Sequence, residues 1–473
     1  MKTERPLVES LVKFVDKQPK SFHVPGHKHG AFSGLPREIQ SALSFDLTEL
    51  AGLDDFHHPE EVILQSERLL AETYGADRSF FLVNGSTVGN LAMIYATCKR
   101  NDKVIVQRNA HKSVFHGLQL VGAKPIYVAP EWDEETLTAT SVTLSTLEEI
   151  LNIHTDVKAV ILTYPTYYGA VAKELKKQIE LCHQLNIPVL VDEAHGAHFS
   201  ASKVFPISAL DLGADVVVQS AHKTLPAMTM ASFLHIKSKL VDSERINRYL
   251  RMLQSSSPSY LLLASLDDAR HYLQTYLESD AAYLLDKKNQ WIDALRSLHP
   301  LQVFEMDDPL KVLLRVPGYS GFQLKEALEE QGVYPELADV HQVLFILPLL
   351  KHGQVFPFAE TRILIKEAIE NLKREDGRAL EFTTPMTELS NISIPEYSFD
   401  ELEDMETEWI PYVRAIGRIS AKMLIPYPPG IPLMIPGEKI TVSKLSQLEE
   451  LLAVGASFQG DHKLEEKLIC VVK

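Results

Sequence analysis

Short apolar runs rich in β-branched and aromatic residues recur from about 60 to 235: SFFLVN, KVIVQ, GAKPIYV, KAVILTY, IPVLVDE, ADVVVQS and ASFLHIK. Most of them are too apolar to be half-exposed strands, which alternate polar and apolar positions; they read as strands buried on both faces. Between them lie segments of helical period, such as EEVILQSERLLAETYG and TVGNLAMIYATCK. Strands alternating with helices predict a mostly parallel sheet covered on both faces. Before this block, MKTERPLVESLVKFVDKQPK has the spacing of one amphipathic helix, followed by a loop rich in His, Gly and Pro. After it the chain is helical to about 297, then resumes strands at LQVFEMDDPLKVLLRVPG with helices at FQLKEALEEQG and ETRILIKEAIENLKRE. A Pro-rich stretch, MLIPYPPGIPLMIPGE, and a helix at VSKLSQLEELLAVG close the chain. The expected division is 1–58 (helix and loop), 59–295 (large α/β domain), 296–378 (small α/β domain) and 379–473 (C-terminal α+β domain).

Composition narrows the classes. The 473 residues are 45% hydrophobic and 23% charged, as in a soluble globular chain. A formal charge of −16 argues against broad nucleic-acid binding. Cys98, Cys182 and Cys470 are odd in number and widely spaced, which predicts reduced thiols and a cytoplasmic location. No signal-peptide run opens the chain, and no apolar run reaches the ~18 residues a membrane helix needs.

The chemistry lies at strand ends, where an α/β sheet opens its ligand crevice. Lys223 follows the run VVVQS, beside Ser220, His222 and Thr224. A desolvated lysine there can form a Schiff base with a carbonyl cofactor, although a lone lysine is more often a solvated one. Asp192 ends the run VLVD, about 30 residues earlier. Such a carboxylate can face a pyridinium nitrogen and keep it protonated. It can also cap a helix, or join Glu193, His195 and His198 in a metal site. Gly85, Ser86 and Thr87 make the turn between SFFLVN and a helix, a place for a phosphate or simply a cap. His111 occupies an equivalent loop, where an imidazole can stack on an aromatic ring or fill a structural role. Neither the nucleotide P-loop pattern nor G-x-G-x-x-G is present.

The order of phosphate turn, histidine, aspartate and lysine resembles the fold type I (aspartate-aminotransferase-like) enzymes of pyridoxal 5′-phosphate. FHVPGHKHG (22–30), DLTELAGLDDFHHPE (46–60), YGADRSFFLVNGSTVGN (74–90), RNAHKSVFHG (108–117), YPTYYG (164–169), DEAHGAH (192–198), SAHKT (220–224) and PYPPGIPLMIPGE (426–438) together resemble the Orn/Lys/Arg decarboxylase family. The resemblance implies that Lys223 carries the cofactor as a Schiff base, Asp192 faces its ring nitrogen, and His111 stacks on the ring. It places His195 near the ring edge and Ser86, Thr87, Ser220 and His222 about the phosphate or the Schiff base, with His222 or Lys223 returning a proton to Cα. Glu438 is the candidate for the distal cation of the substrate, or a cap for the helix that follows.

The implied reaction is decarboxylation of a basic amino acid to its amine, arginine first, then lysine or ornithine, with no metal. The first motif starts at residue 22, so the resemblance is to the short form without the N-terminal wing, assembling as a homodimer with a shared site, or a tetramer. Pro59-Glu60-Glu61 and AVAKELKK (170–177) depart from the family pattern and bear on substrate identity. An aminotransferase is the competing enzyme, with Arg315 as its carboxylate clamp; a non-catalytic cofactor-binding protein is the competing class.

Overall fold

The computed structural model describes residues 4–372, 391–426, 430–453 and 455–473. The expected boundary at 378/379 and residues 427–429 of the Pro-rich stretch lie outside them. Two compact units emerge, both discontinuous in sequence: Met1–Thr97 with Pro188–Leu277, and Cys98–Ile187 with Glu278–Lys473.

In the first unit the strands run in the order Arg78–Leu82, Ser232–Ile236, Val216–Gln219, Val189–Asp192. Val216–Gln219 is parallel to Val189–Asp192, whereas Ser232–Ile236 is antiparallel to both of its neighbours. Only the short helix Ala221–Thr224 separates Gln219 from Ser232, too little to carry the chain back for a parallel strand, which needs a longer crossover. Helix Gly85–Thr97 packs across three of these strands, and helix Ser243–Leu253 packs on that helix. Gly89 permits the close approach: a Cβ there would meet Leu82 Cδ1 and Val218 Cγ1 at 2.8 Å.

The amphipathic N-terminal segment forms helix Pro6–Asp16, with proline in its first turn. Its first N–H groups have no side-chain cap of their own. Asp267 supplies one from helix Tyr260–Gln274, accepting from Leu7 N at 3.1 Å. Asp267 is itself paired with the fully buried Arg270 at 2.6 Å.

In the second unit, Val157–Thr163, Lys103–Gln107 and Lys124–Val128 are parallel, and Ile392–Ser393 adds an antiparallel edge. A separate antiparallel sheet orders Gln302–Glu305, Lys311–Arg315, Val343–Ile346 and Leu337–Ala338. Helices Gly321–Glu330 and Phe358–Leu372 pack against each other beside it. The last segment pairs Thr407–Pro411 with Leu468–Val472 over a core that includes Ile410, Leu433, Met434, Leu448 and Val471.

Candidate active site

The first unit brings together most of the residues singled out above. Strand Arg78–Leu82 ends at a turn in which Gly85 takes a left-handed φ of +78°, and the helix starts at Gly85 itself. Ser86 and Thr87 therefore belong to its first turn rather than to a loop before it. Their backbone N–H groups are among the four that a helix leaves without an internal acceptor. Ser220 Oγ donates to Ser86 Oγ at 2.9 Å, so two hydroxyls from distant segments converge on this helix start.

Lys223 lies on the short helix Ala221–Thr224, beyond strand Val216–Gln219. It is half-buried, and its Nζ is 2.9 Å from His195 Nε2. The two nitrogens share one hydrogen bond, and whichever of them carries the proton is its donor. His222, its neighbour, directs its ring Nδ1 to Ala231 O at 3.1 Å.

Asp192 ends its strand with the side chain 2% exposed. Asn90 Nδ2 donates to its Oδ2 at 2.8 Å, and Ala194 N to its Oδ1 at 3.1 Å. Both donors are neutral, and no cation pairs with this carboxylate among the described residues. Glu193 points elsewhere: Ser208 Oγ and Ala209 N donate to its Oε2, each at 3.0 Å. Burial pushes the Glu193 carboxyl well above its ordinary range, against the pull of those bonds. Gly196 makes room for it, since a Cβ there would sit 2.7 Å from Glu193 Cγ and Oε1. His198 is enclosed by Phe199 and Phe205, both at 4.9 Å between ring centroids. Among the described residues no three His, Cys, Asp or Glu side chains are grouped to hold a metal.

The second unit holds the other candidates. His111 is exposed and caps helix Lys112–Val121, accepting from Ser113 N through its Nδ1 at 3.3 Å. Glu438 departs from its expected role. Its carboxylate is 3% exposed and accepts from Arg108 Nη1 at 2.6 Å, Arg108 Nη2 at 2.8 Å and Lys444 Nζ at 2.8 Å, with Ser393 Oγ as a further donor. Two internal cations occupy the oxygens that a substrate cation would need. Burial opposes the charge on Glu438, but Arg108 and Lys444 together overcome it and hold the carboxyl at about 2. Arg315 is likewise committed, to the carbonyls of Glu135 and Thr136 and to Gln342 Oε1. A clamp for a substrate carboxylate would have to break those bonds.

Asn90 is the residue that sequence reasoning missed. Its signal was available: an amide among Val88, Gly89, Ala92, Met93 and Ile94, on a helix buried on nearly every side. Burying an amide is unfavourable unless it finds a partner.

Known proteins carry the same pattern. The description "Orn/Lys/Arg decarboxylase, major domain" matches residues 5–306, and "Orn/Lys/Arg decarboxylase, C-terminal domain" matches residues 382–460. The uncharacterized protein YaaO of Bacillus subtilis (strain 168) is 43% identical over 98% of both chains. The arginine decarboxylase of the same organism is 35% identical over 99% of this chain and 98% of its own. The crystal structure of the Francisella novicida lysine decarboxylase LdcF superposes with a TM-score of 0.78 at 20% identity, covering 99% of this chain and 81% of that one.

Proposed function

This chain belongs to the Orn/Lys/Arg decarboxylase family, and from that premise we propose that it removes CO₂ from L-arginine to give agmatine, using Lys223, Asp192 and His195. It is a pyridoxal-phosphate-dependent amino acid decarboxylase of the aspartate-aminotransferase-like fold. The observation that carries the site assignment is the Asp192 carboxylate, buried with two neutral donors and no cation among the described residues. An isolated buried charge is unfavourable, and the protonated ring nitrogen of a bound cofactor would supply the missing partner.

Pyridoxal phosphate, when bound, supplies an electron-withdrawing ring that accepts the charge left by the departing carboxyl group. The chain does the rest. Lys223 Nζ would hold the aldehyde carbon of the bound cofactor and, once released from it, would carry the proton destined for Cα. His195 Nε2, 2.9 Å away, exchanges a proton with that amine. Ser86 and Ser220 offer hydroxyls, and the helix start offers N–H groups, to the phosphate. The stacking role of His111 is what the family resemblance implies.

Arginine is preferred over lysine and ornithine because the arginine decarboxylase of Bacillus subtilis is similar over nearly the full length of both chains. A homodimer is the proposed assembly. Phe22 (97% exposed), Phe32 (82%) and Val24 (66%) put apolar side chains on the surface of the N-terminal segment, which a partner subunit would cover. No helix among the described residues is long and apolar enough to cross a membrane. The cysteines are unbridged and buried, as thiols of a reducing, cytoplasmic compartment would be.

The test is turnover on arginine, lysine and ornithine, with CO₂, amine and keto acid measured together. Agmatine and CO₂ from arginine, without keto acid, are expected. Keto acid without CO₂ would make the protein an aminotransferase, and cofactor binding without turnover would make it a binding protein.

A further inference from the structure

The functional reading leaves Asn90 without a task. It stands one turn after Ser86 on helix Gly85–Thr97, and residues four apart share a helix face. Its side chain is fully buried, and its Nδ2 reaches Asp192 Oδ2 at 2.8 Å. With Ala194 N on Oδ1, each oxygen of the carboxylate has one donor. A carboxylate has about four lone-pair positions, so acceptor capacity remains for one more partner. The short reach depends on Gly89, since a Cβ would strike Leu82 and Val218 and lift the helix off the strands.

We propose that Asn90 is a positioning residue, which holds the Asp192 carboxylate in place and aims it at the cofactor ring nitrogen. The Gly89–Asn90 step then sets the distance between the phosphate-binding helix start and that acid. The inference rests on the pyridoxal phosphate reading of Lys223 and Asp192. The Asn90 amide donates to one oxygen and the Ala194 N–H to the other, so the carboxylate is fixed from two sides. Without Asn90, Oδ2 loses its side-chain donor among the described residues, and the carboxylate is free to turn away from the facing nitrogen.

The experiment compares the affinity of the apoenzyme for pyridoxal phosphate with its affinity for the carbocyclic analogue that carries CH in place of the ring nitrogen. Wild type should favour the natural cofactor strongly. Asn90→Ala should shrink that preference about ten-fold, the size of one lost hydrogen bond to a charged group. Asn90→Leu keeps the volume but removes the donor, and should shrink the preference as far. Equal weakening toward both ligands would reduce Asn90 to a packing residue. An unchanged preference in Asn90→Leu would overturn the inference even if Asn90→Ala failed to fold. Wild type with no preference would overturn the Asp192 reading itself, and this inference with it.

Discussion

Glu438→Gln separates an internal hub from a substrate contact. The substitution keeps the shape of the side chain and removes its charge, leaving Arg108 (2% exposed) and Lys444 (7% exposed) facing each other without a counter-ion. The size of the effect follows from two routes. The carboxyl is held at about 2 against an ordinary 4.5, and at about 1.4 kcal/mol per decade of acidity the ionised form gains about 3 kcal/mol on folding. Removing one member of a buried ion pair costs about 3–5 kcal/mol by direct precedent, so the two agree. The two cations are unequal. Burial drives the Lys444 ammonium down despite Glu438 opposing it, whereas Arg108 makes the bidentate contact. Lys444→Met should therefore cost much less than Glu438→Gln, and adding it to Glu438→Gln should recover part of the loss. Chemical denaturation of the three variants beside wild type measures this. Because the folded-state value is depressed, the contribution is complete above pH 4.5 and disappears as the pH falls through 2. An undisturbed denaturation midpoint in Glu438→Gln, with a raised KM for arginine, would refute the hub and restore the substrate-contact expectation.

Borohydride reduction of the yellow holoenzyme should fix the label on Lys223 in peptide mapping; a label on any other lysine removes the central assignment. Asp192→Asn should retain much of the cofactor by absorbance yet lose most turnover, and near-normal kcat would mean that the ring nitrogen is tuned by another group. His235, fully buried between Ser79 and Gln219, is pushed by burial from 6.5 to about 3. The unfolded chain therefore takes up a proton there that the folded chain refuses. Stability should fall from pH 6.5 toward 3, with a shallower slope in His235→Gln, and parallel slopes would contradict the burial argument.

The placement of Asp192 and Lys223 was legible because Asp192 ends a run of Val and Leu and Lys223 follows another within a few residues, where a sheet delivers side chains to a crevice. Asn90 shows the same contrast inside a helix, where neighbouring Gly and Ala blurred the period that would have marked it as buried. The Glu438 hub was not legible. Arg108 lies 330 residues away in sequence, and ion pairs closed by the fold leave no periodic trace. The antiparallel return of Ser232–Ile236 left a trace of another kind, in the shortness of its connection from Gln219. The Arg315 bonds to the Glu135 and Thr136 carbonyls depend on a loop conformation that no local pattern encodes.

The pairing of Phe80, Phe81 and Leu82 with residues 232–234 has a consequence for biosynthesis. Translation delivers the first strand about 150 residues ahead of the strand it pairs with. Until then the nascent polypeptide carries an unsatisfied, phenylalanine-rich edge, the kind of surface that recruits other strands. Products cut short before residue 232 would keep that edge permanently. They should be found with chaperones or in inclusion bodies, while the completed polypeptide buries the same residues.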